Sequence, residues 1–179
     1  MASKTKRPAR RTRARTTKRS APVAVPPWRL KTVTPYLMIH GAARAIEFYK
    51  KAFDAKELDR QAMEDGSLMH ATIRIGDSII MMSDEVAGGD TKSPTSAGTT
   101  TVNLHINSKD VDKLWDRALN AGATPTLPLD NQFWGERYGK LQDPFGHVWS
   151  VSMPVKMSEA EKEAKRQAAF AMFEKGEHP

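Results

Sequence analysis

His40, His70 and His105 can each move a proton or hold a ligand, because an imidazole changes charge close to neutral pH. Glu136 is the one carboxylate in the aromatic-rich run Phe133-Trp134-Gly135-Glu136-Arg137-Tyr138-Gly139. That makes it the leading general acid or base, with His105 beside it if the chain catalyses a reaction. Trp134 and Phe133 can clamp a planar molecule. Each of these residues also has a plain structural use. A single strand histidine commonly braces its neighbours by hydrogen bonds, a loop carboxylate is commonly solvated, and aromatic side chains commonly close a core. His70 at a strand start is as well placed to brace a hairpin as to act, and His147 after a turn fits the bracing role best.

The framework that must place these residues is an internal repeat. Residues 34–83 and 101–153 read as two copies of one strand, helix and three-strand unit, offset by about 67 positions. Thr34 to His40 and Thr101 to Asn107 alternate as strands. Ile46, Phe48, Tyr49 and Phe53 then recur at helical spacing, as do Val111, Leu114, Trp115 and Ala118. Strands are expected near Glu57 to Met63, Leu68 to Ile75 and Ser78 to Ser83, with Gly76-Asp77 turning the last pair. Ser108 is the expected N-cap of the second helix and Gly122 its stop, while Pro125 and Pro128 confine the next strand to a sheet edge. Asp143-Pro144-Phe145-Gly146 turns the chain into a final strand from His147 to Ser152. Ser158 and Glu161 form a capping box ahead of Ala164, Ala168, Phe170 and Phe173, which predicts a C-terminal amphipathic helix over 158–179.

The net charge of +7 belongs to one end of the chain. Residues 1–27 hold nine basic side chains and no acidic ones, leaving 19 basic against 21 acidic residues, or −2, for the remainder. A segment so poor in large apolar side chains cannot offset its ordering entropy, so 1–28 is expected to be a disordered basic tail with a Pro-rich linker. Arg10, Arg11, Arg13, Arg15, Lys18 and Arg19 would give it non-specific contact with nucleic acid or another polyanion, or leave it a solvated extension. The chain has no cysteine, which is compatible with a reducing cytoplasm, and no apolar run long enough for a membrane span. A soluble cytoplasmic protein with one folded domain over 29–157 is the expectation.

Thr34 to Phe53, His70-Ala71-Thr72-Ile73-Arg74-Ile75-Gly76-Asp77-Ser78, Phe133 to Gly139 and Asp143-Pro144-Phe145-Gly146-His147-Val148-Trp149 carry a family likeness. Over about residues 32–157 the chain resembles the vicinal oxygen chelate superfamily of glyoxalase I, bleomycin-resistance proteins and extradiol dioxygenases, and within it the PhnB-like glyoxalase subgroup. The resemblance implies an α+β fold: paired βαβββ modules, about 32–84 and 99–154, whose eight strands form one cupped mixed sheet with helices outside. It also implies that catalytic members chelate a divalent metal through four side chains, and the corresponding positions here are Thr34, Met81, Thr101 and Ser150. None supplies the imidazole or carboxylate that such a cation needs, so no cofactor is expected. A divalent metal enters only in an alternative in which atypical ligands such as His105 and Glu136 serve a lyase or dioxygenase.

Strand alternation directs Tyr36, Met38, His40, Asn103, His105, Ser150 and Ser152 into the cup, with His70, Thr72 and Arg74 on a further polar face. With Trp134 these residues are expected to line a small-molecule pocket. The superfamily resemblance and the apolar Phe170, Met172 and Phe173 of the C-terminal helix together predict a homodimer.

Overall fold

The computed structural model describes residues 30–176. The basic tail, with its six named arginine and lysine positions, lies outside the described residues.

Each half of the domain is a βαβββ module. The first runs β1 (Tyr36–Ile39), α1 (Ala42–Phe53), β2 (Lys56–Ala62), β3 (Leu68–Ile75) and β4 (Ser78–Asp84). A short helix α2 (Pro94–Ala97) leads to β5 (Asn103–Asn107), α3 (Val111–Ala121), β6 (Thr124–Asn131), β7 (Glu136–Gln142) and β8 (Val148–Pro154), and α4 (Glu159–Glu174) follows. The strands form two four-stranded sheets, ordered β1-β4-β3-β2 and β5-β8-β7-β6, so the eight strands are divided and not joined in one ladder. β1 pairs with β4, and β5 with β8, in parallel; the other pairs are antiparallel.

The repeat is carried in the register itself. Tyr36 lies opposite Met81 and Met38 opposite Ser83; 67 positions later, Asn103 lies opposite Val148 and His105 opposite Ser150. Leu37 and Ile39 of β1 are buried against the helices, and Trp149 and Val151 of β8 are buried in the same way. Side chains of opposite parity therefore point to the other face of each sheet.

Local chemistry fixes the helix ends. Gly41 at the start of α1 offers no side-chain cap, and the Asp84 carboxylate of β4 accepts the N–H groups of Gly41 and Ala42 at 2.7 and 2.9 Å in its place. α3 is capped by Asp110, which accepts Lys113 N–H at 3.2 Å, whereas the expected cap Ser108 accepts Asp110 N–H one step upstream. Asp110 takes the role because its carboxylate stands three residues before an open N–H and also favours the positive end of the helix. Gly122 closes α3 at φ 110°, a conformation that only glycine reaches without strain. β6 is an edge strand whose ladder shifts register on both sides of Leu127, and this is how Pro125 and Pro128 fit within it.

The modules share one core. α1 packs against α3, and Tyr49 and Phe53 of α1 meet Trp149 of β8 at ring-centre distances of 5.3 and 4.7 Å. At the centre sits a buried carboxylate. Asp143 accepts Phe145 N–H and His147 N–H at 2.9 Å each, the Tyr49 hydroxyl at 2.7 Å and Trp149 Nε1–H at 2.9 Å. Four donors offset the cost of removing this group from water.

The capping box of α4 is formed, with Glu161 accepting Ser158 N–H at 2.7 Å and Ser158 Oγ accepting Glu161 N–H at 3.3 Å. The helix leans on the second module through Lys165 to Asp130 at 2.8 Å and Phe170 edge-on to Phe133 at 6.1 Å. No described α4 side chain is fully buried, so its apolar stripe lies over a surface and is not part of the core.

Candidate functional site

The side chains facing away from the helices form a grid on each sheet. On the second sheet, strand register sets His105, Ser150, Lys140 and Leu127 in one row and Asn107, Ser152, Tyr138 and Asp130 in the next. Of the expected site residues, Asn103, His105 and Ser150 are brought together here. Ser150 Oγ accepts Asn103 Nδ2–H at 3.1 Å and lies 2.7 Å from His105 Nδ1. Ser152 Oγ donates to Asn107 Oδ1 at 3.4 Å and lies 3.1 Å from His105 Nε2. Asn107 Oδ1 also lies 3.3 Å from His105 Nε2. Both ring nitrogens are thus held within the protein, and the imidazole presents its face.

Aromatic groups continue from that face. The Tyr138 ring lies nearly parallel to His105, with centres 6.1 Å apart and an angle of 19°. Trp134 stands edge-on to Tyr138 at 5.6 Å and 73°. Glu136 accepts Trp134 Nε1–H at 3.0 Å, so the expected acid or base fixes the indole. Trp134 remains 48% exposed.

The first sheet gathers a second, smaller group. The Tyr36 hydroxyl is 3.2 Å from His70 Nδ1, and His70 Nε2 is 3.1 Å from Thr72 Oγ1. Met38 receives the Ser83 hydroxyl at its thioether sulfur at 3.5 Å. Arg74 shares the face of Thr72 but is exposed. His40 stands apart at the end of β1, 3.3 Å from Glu85, whose carboxyl is held down to about 2 chiefly by hydrogen bonds from Ser96 and Ser93. Among the described residues, no hydrogen bond or ring contact joins the Tyr36–His70 group to the His105 group.

Sequence reasoning did not single out Tyr138, Asn107 and Lys140 as site residues. Asn107 continues the two-residue alternation of Asn103 and His105, and Tyr138 and Lys140 continue that of Glu136 along β7. Asp143 was legible only as a turn residue, because its partner Tyr49 lies 94 positions away.

Thr34 and Thr101 stand two residues ahead of β1 and β5, and Thr34 donates its hydroxyl to the Lys31 carbonyl at 3.1 Å. Ser150 is buried under His105 and Asn103, and Met81 offers a thioether. Two threonines, a serine and a methionine do not suit a hard or borderline divalent cation. Among the described residues no group of three or more histidine, aspartate or glutamate side chains is placed to hold one.

Residues 31–151 match the Glyoxalase/Bleomycin resistance protein/Dioxygenase superfamily. The chain belongs to that superfamily. It is 49% identical over 127 residues to an uncharacterized protein of Mycobacterium bovis, covering 69% of this chain and 84% of the relative. TioX from Micromonospora sp. ML1 is 27% identical, with a TM-score of 0.54 over 72% of this chain and 100% of TioX. The PhnB protein from Bacillus cereus shares the fold at 19% identity and a TM-score of 0.54, over 69% of this chain and 99% of that one. The likeness to these two solved structures is one of fold. α4 lies beyond the matched segment. No helix among the described residues is long and apolar enough to cross a membrane.

Proposed function

We propose that the protein binds a small organic molecule on the open face of the β5-β8-β7-β6 sheet, without a metal quartet. The observation that carries this reading is the aromatic run His105, Tyr138 and Trp134 laid over a hydrogen-bonded floor of Asn103, Ser150 and Ser152. A largely preformed surface of aromatic groups with a few fixed polar atoms is what small-molecule recognition requires. The floor is already satisfied internally, which supports holding a ligand over reacting with it.

A second reading makes the chain a lyase or dioxygenase with atypical metal ligands, and the shared face of His105 and Glu136 favours it. Two donors fall short of the three protein ligands that catalytic centres commonly use. Screening small molecules by calorimetry, with elemental analysis of the purified chain, separates the two. Binding that Trp134→Ala and Tyr138→Ala weaken, in a chain purified without stoichiometric metal and indifferent to chelators, supports the binding protein. One tightly held divalent metal per chain, lost on His105→Ala, would overturn the binding protein and favour the enzyme instead.

A further inference from the structure

α4 lies outside the family match, yet it walls a groove of about 760 Å³ on the open face of the second sheet. Leu127, Phe133, Trp134 and Tyr138 form the sheet side of the groove, and Ala168 and Met172 the helix side. That space suits a drug-sized ligand. The perpendicular setting of Trp134 on Tyr138 leaves a corner in which a flat ring can stack on one and meet the edge of the other.

Two cations reach this apolar space, Lys165 and Lys140. Lys165 is neutralised by Asp130 at 2.8 Å. Lys140 is half-buried, and no described residue gives it a hydrogen bond or ion pair. Asp130 on this face is paired with Lys165. Glu136, which keeps its charge while accepting the Trp134 indole N–H, lies four residues along β7 from Lys140, about 13 Å at the strand rise and out of contact with it. An ammonium group partly withdrawn from water beside aromatic rings, with no counter-charge, gains most from an anion.

We propose that the groove binds an aromatic anion, its ring seated against Trp134 and Tyr138 and its acidic group on Lys140. The proposal rests on the small-molecule reading above and adds the ligand's charge and flatness. Because Lys140 shares a row with His105 and Ser150, an anion held there places its ring along the His105 to Tyr138 run.

Calorimetric titration of the full chain with 1-naphthoate and with its uncharged analogue 1-naphthamide tests the assignment. The carboxylate is expected to bind about tenfold tighter or better, the typical worth of a charge-assisted hydrogen bond. Lys140→Met should bring naphthoate to the level of naphthamide and leave naphthamide unchanged, while Lys140→Arg keeps the preference. Equal binding of the two probes by the natural chain, or a preference that survives Lys140→Met, overturns the charge assignment and leaves the small-molecule reading in place. Failure of both probes to bind overturns the groove as an aromatic-anion site, and binding of other compounds that Trp134→Ala weakens would then show that the broader reading survives it.

Discussion

The Tyr49 hydroxyl donates to Asp143 Oδ2 at 2.7 Å, joining a helix of the first module to the last turn of the second through two buried groups. Burial, reinforced by the neighbouring carboxylate, pushes the Tyr49 hydroxyl well above its ordinary range, so this phenol stays protonated and keeps donating at all working pH values. Tyr49→Phe removes one of four donors and should cost about 1–3 kcal/mol. Asp143→Ala strands all four and should cost at least about 3 kcal/mol. Urea denaturation of both variants checks the order, and equal losses would show that the carboxylate is not the hub of this junction.

His147 should make stability fall in mild acid. Burial lowers its pKa from the ordinary histidine value, outweighing the opposing effects of the Asp143 carboxylate and the Met38 carbonyl, and its Nε2 has no partner among the described residues. A depressed folded-state pKa means that the unfolded chain takes up the proton first. The contribution is therefore intact above about pH 6.5 and is lost as pH drops toward the lower folded value. The urea midpoint of the natural chain should decline from about pH 7.5 to 5.5, and His147→Gln should flatten that slope. An unchanged slope in the variant would assign the acid sensitivity elsewhere.

Gly139 is required by contact. A Cβ there would fall 2.6 Å from Trp115 Cζ3 and 3.0 Å from the Leu129 Cα. The indole is buried and the second neighbour is backbone, so neither moves aside cheaply. Gly139→Ala should destabilise by about 1–3 kcal/mol, read as a lower Tm with the fold retained by circular dichroism. A Tm equal to that of the natural chain would mean that α3 can shift away from β7.

Much of this architecture was legible beforehand because it is written in local chemistry. The Gly122 stop, the edge prolines and the Ser158 to Glu161 capping box each depend on residues close in sequence, and the 67-residue repeat shows because the same local patterns occur twice. Alternation also sorted the faces correctly for Ser150, His105, Trp149 and Val151. It could not place the sheets relative to each other, so one expected pocket became two separate polar groups, with His40 outside both. α4 illustrates the same limit: its cap is local, but the surface it covers is set by Asp130 and Phe133 roughly 35 residues upstream.

Self-association should depend on α4. Phe170 is 53% exposed and Met172 42% exposed, an apolar strip that a second copy of the chain would cover. Light scattering over a micromolar dilution series should give a dimer mass, shifted toward monomer on removal of residues 158–179. A monomer mass at every concentration would refute the dimer.

The nine cations of residues 1–27 should give weak, sequence-independent binding to DNA or RNA that falls steeply with salt. Residues 28–179 alone should not bind. A probe shifted equally by both forms would place the nucleic-acid contact on the folded domain.

Ser83 and Ser150 occupy the same place in the two modules, yet one meets a thioether and the other an imidazole. The same strand position thus carries different chemistry on the open face of each sheet, while Leu37, Ile39, Trp149 and Val151 fill the helix-facing side. Met38→His would place an imidazole beside Ser83 and give the first sheet the pairing now found on the second. One substitution on the open face is enough to make the two sheets alike at this position.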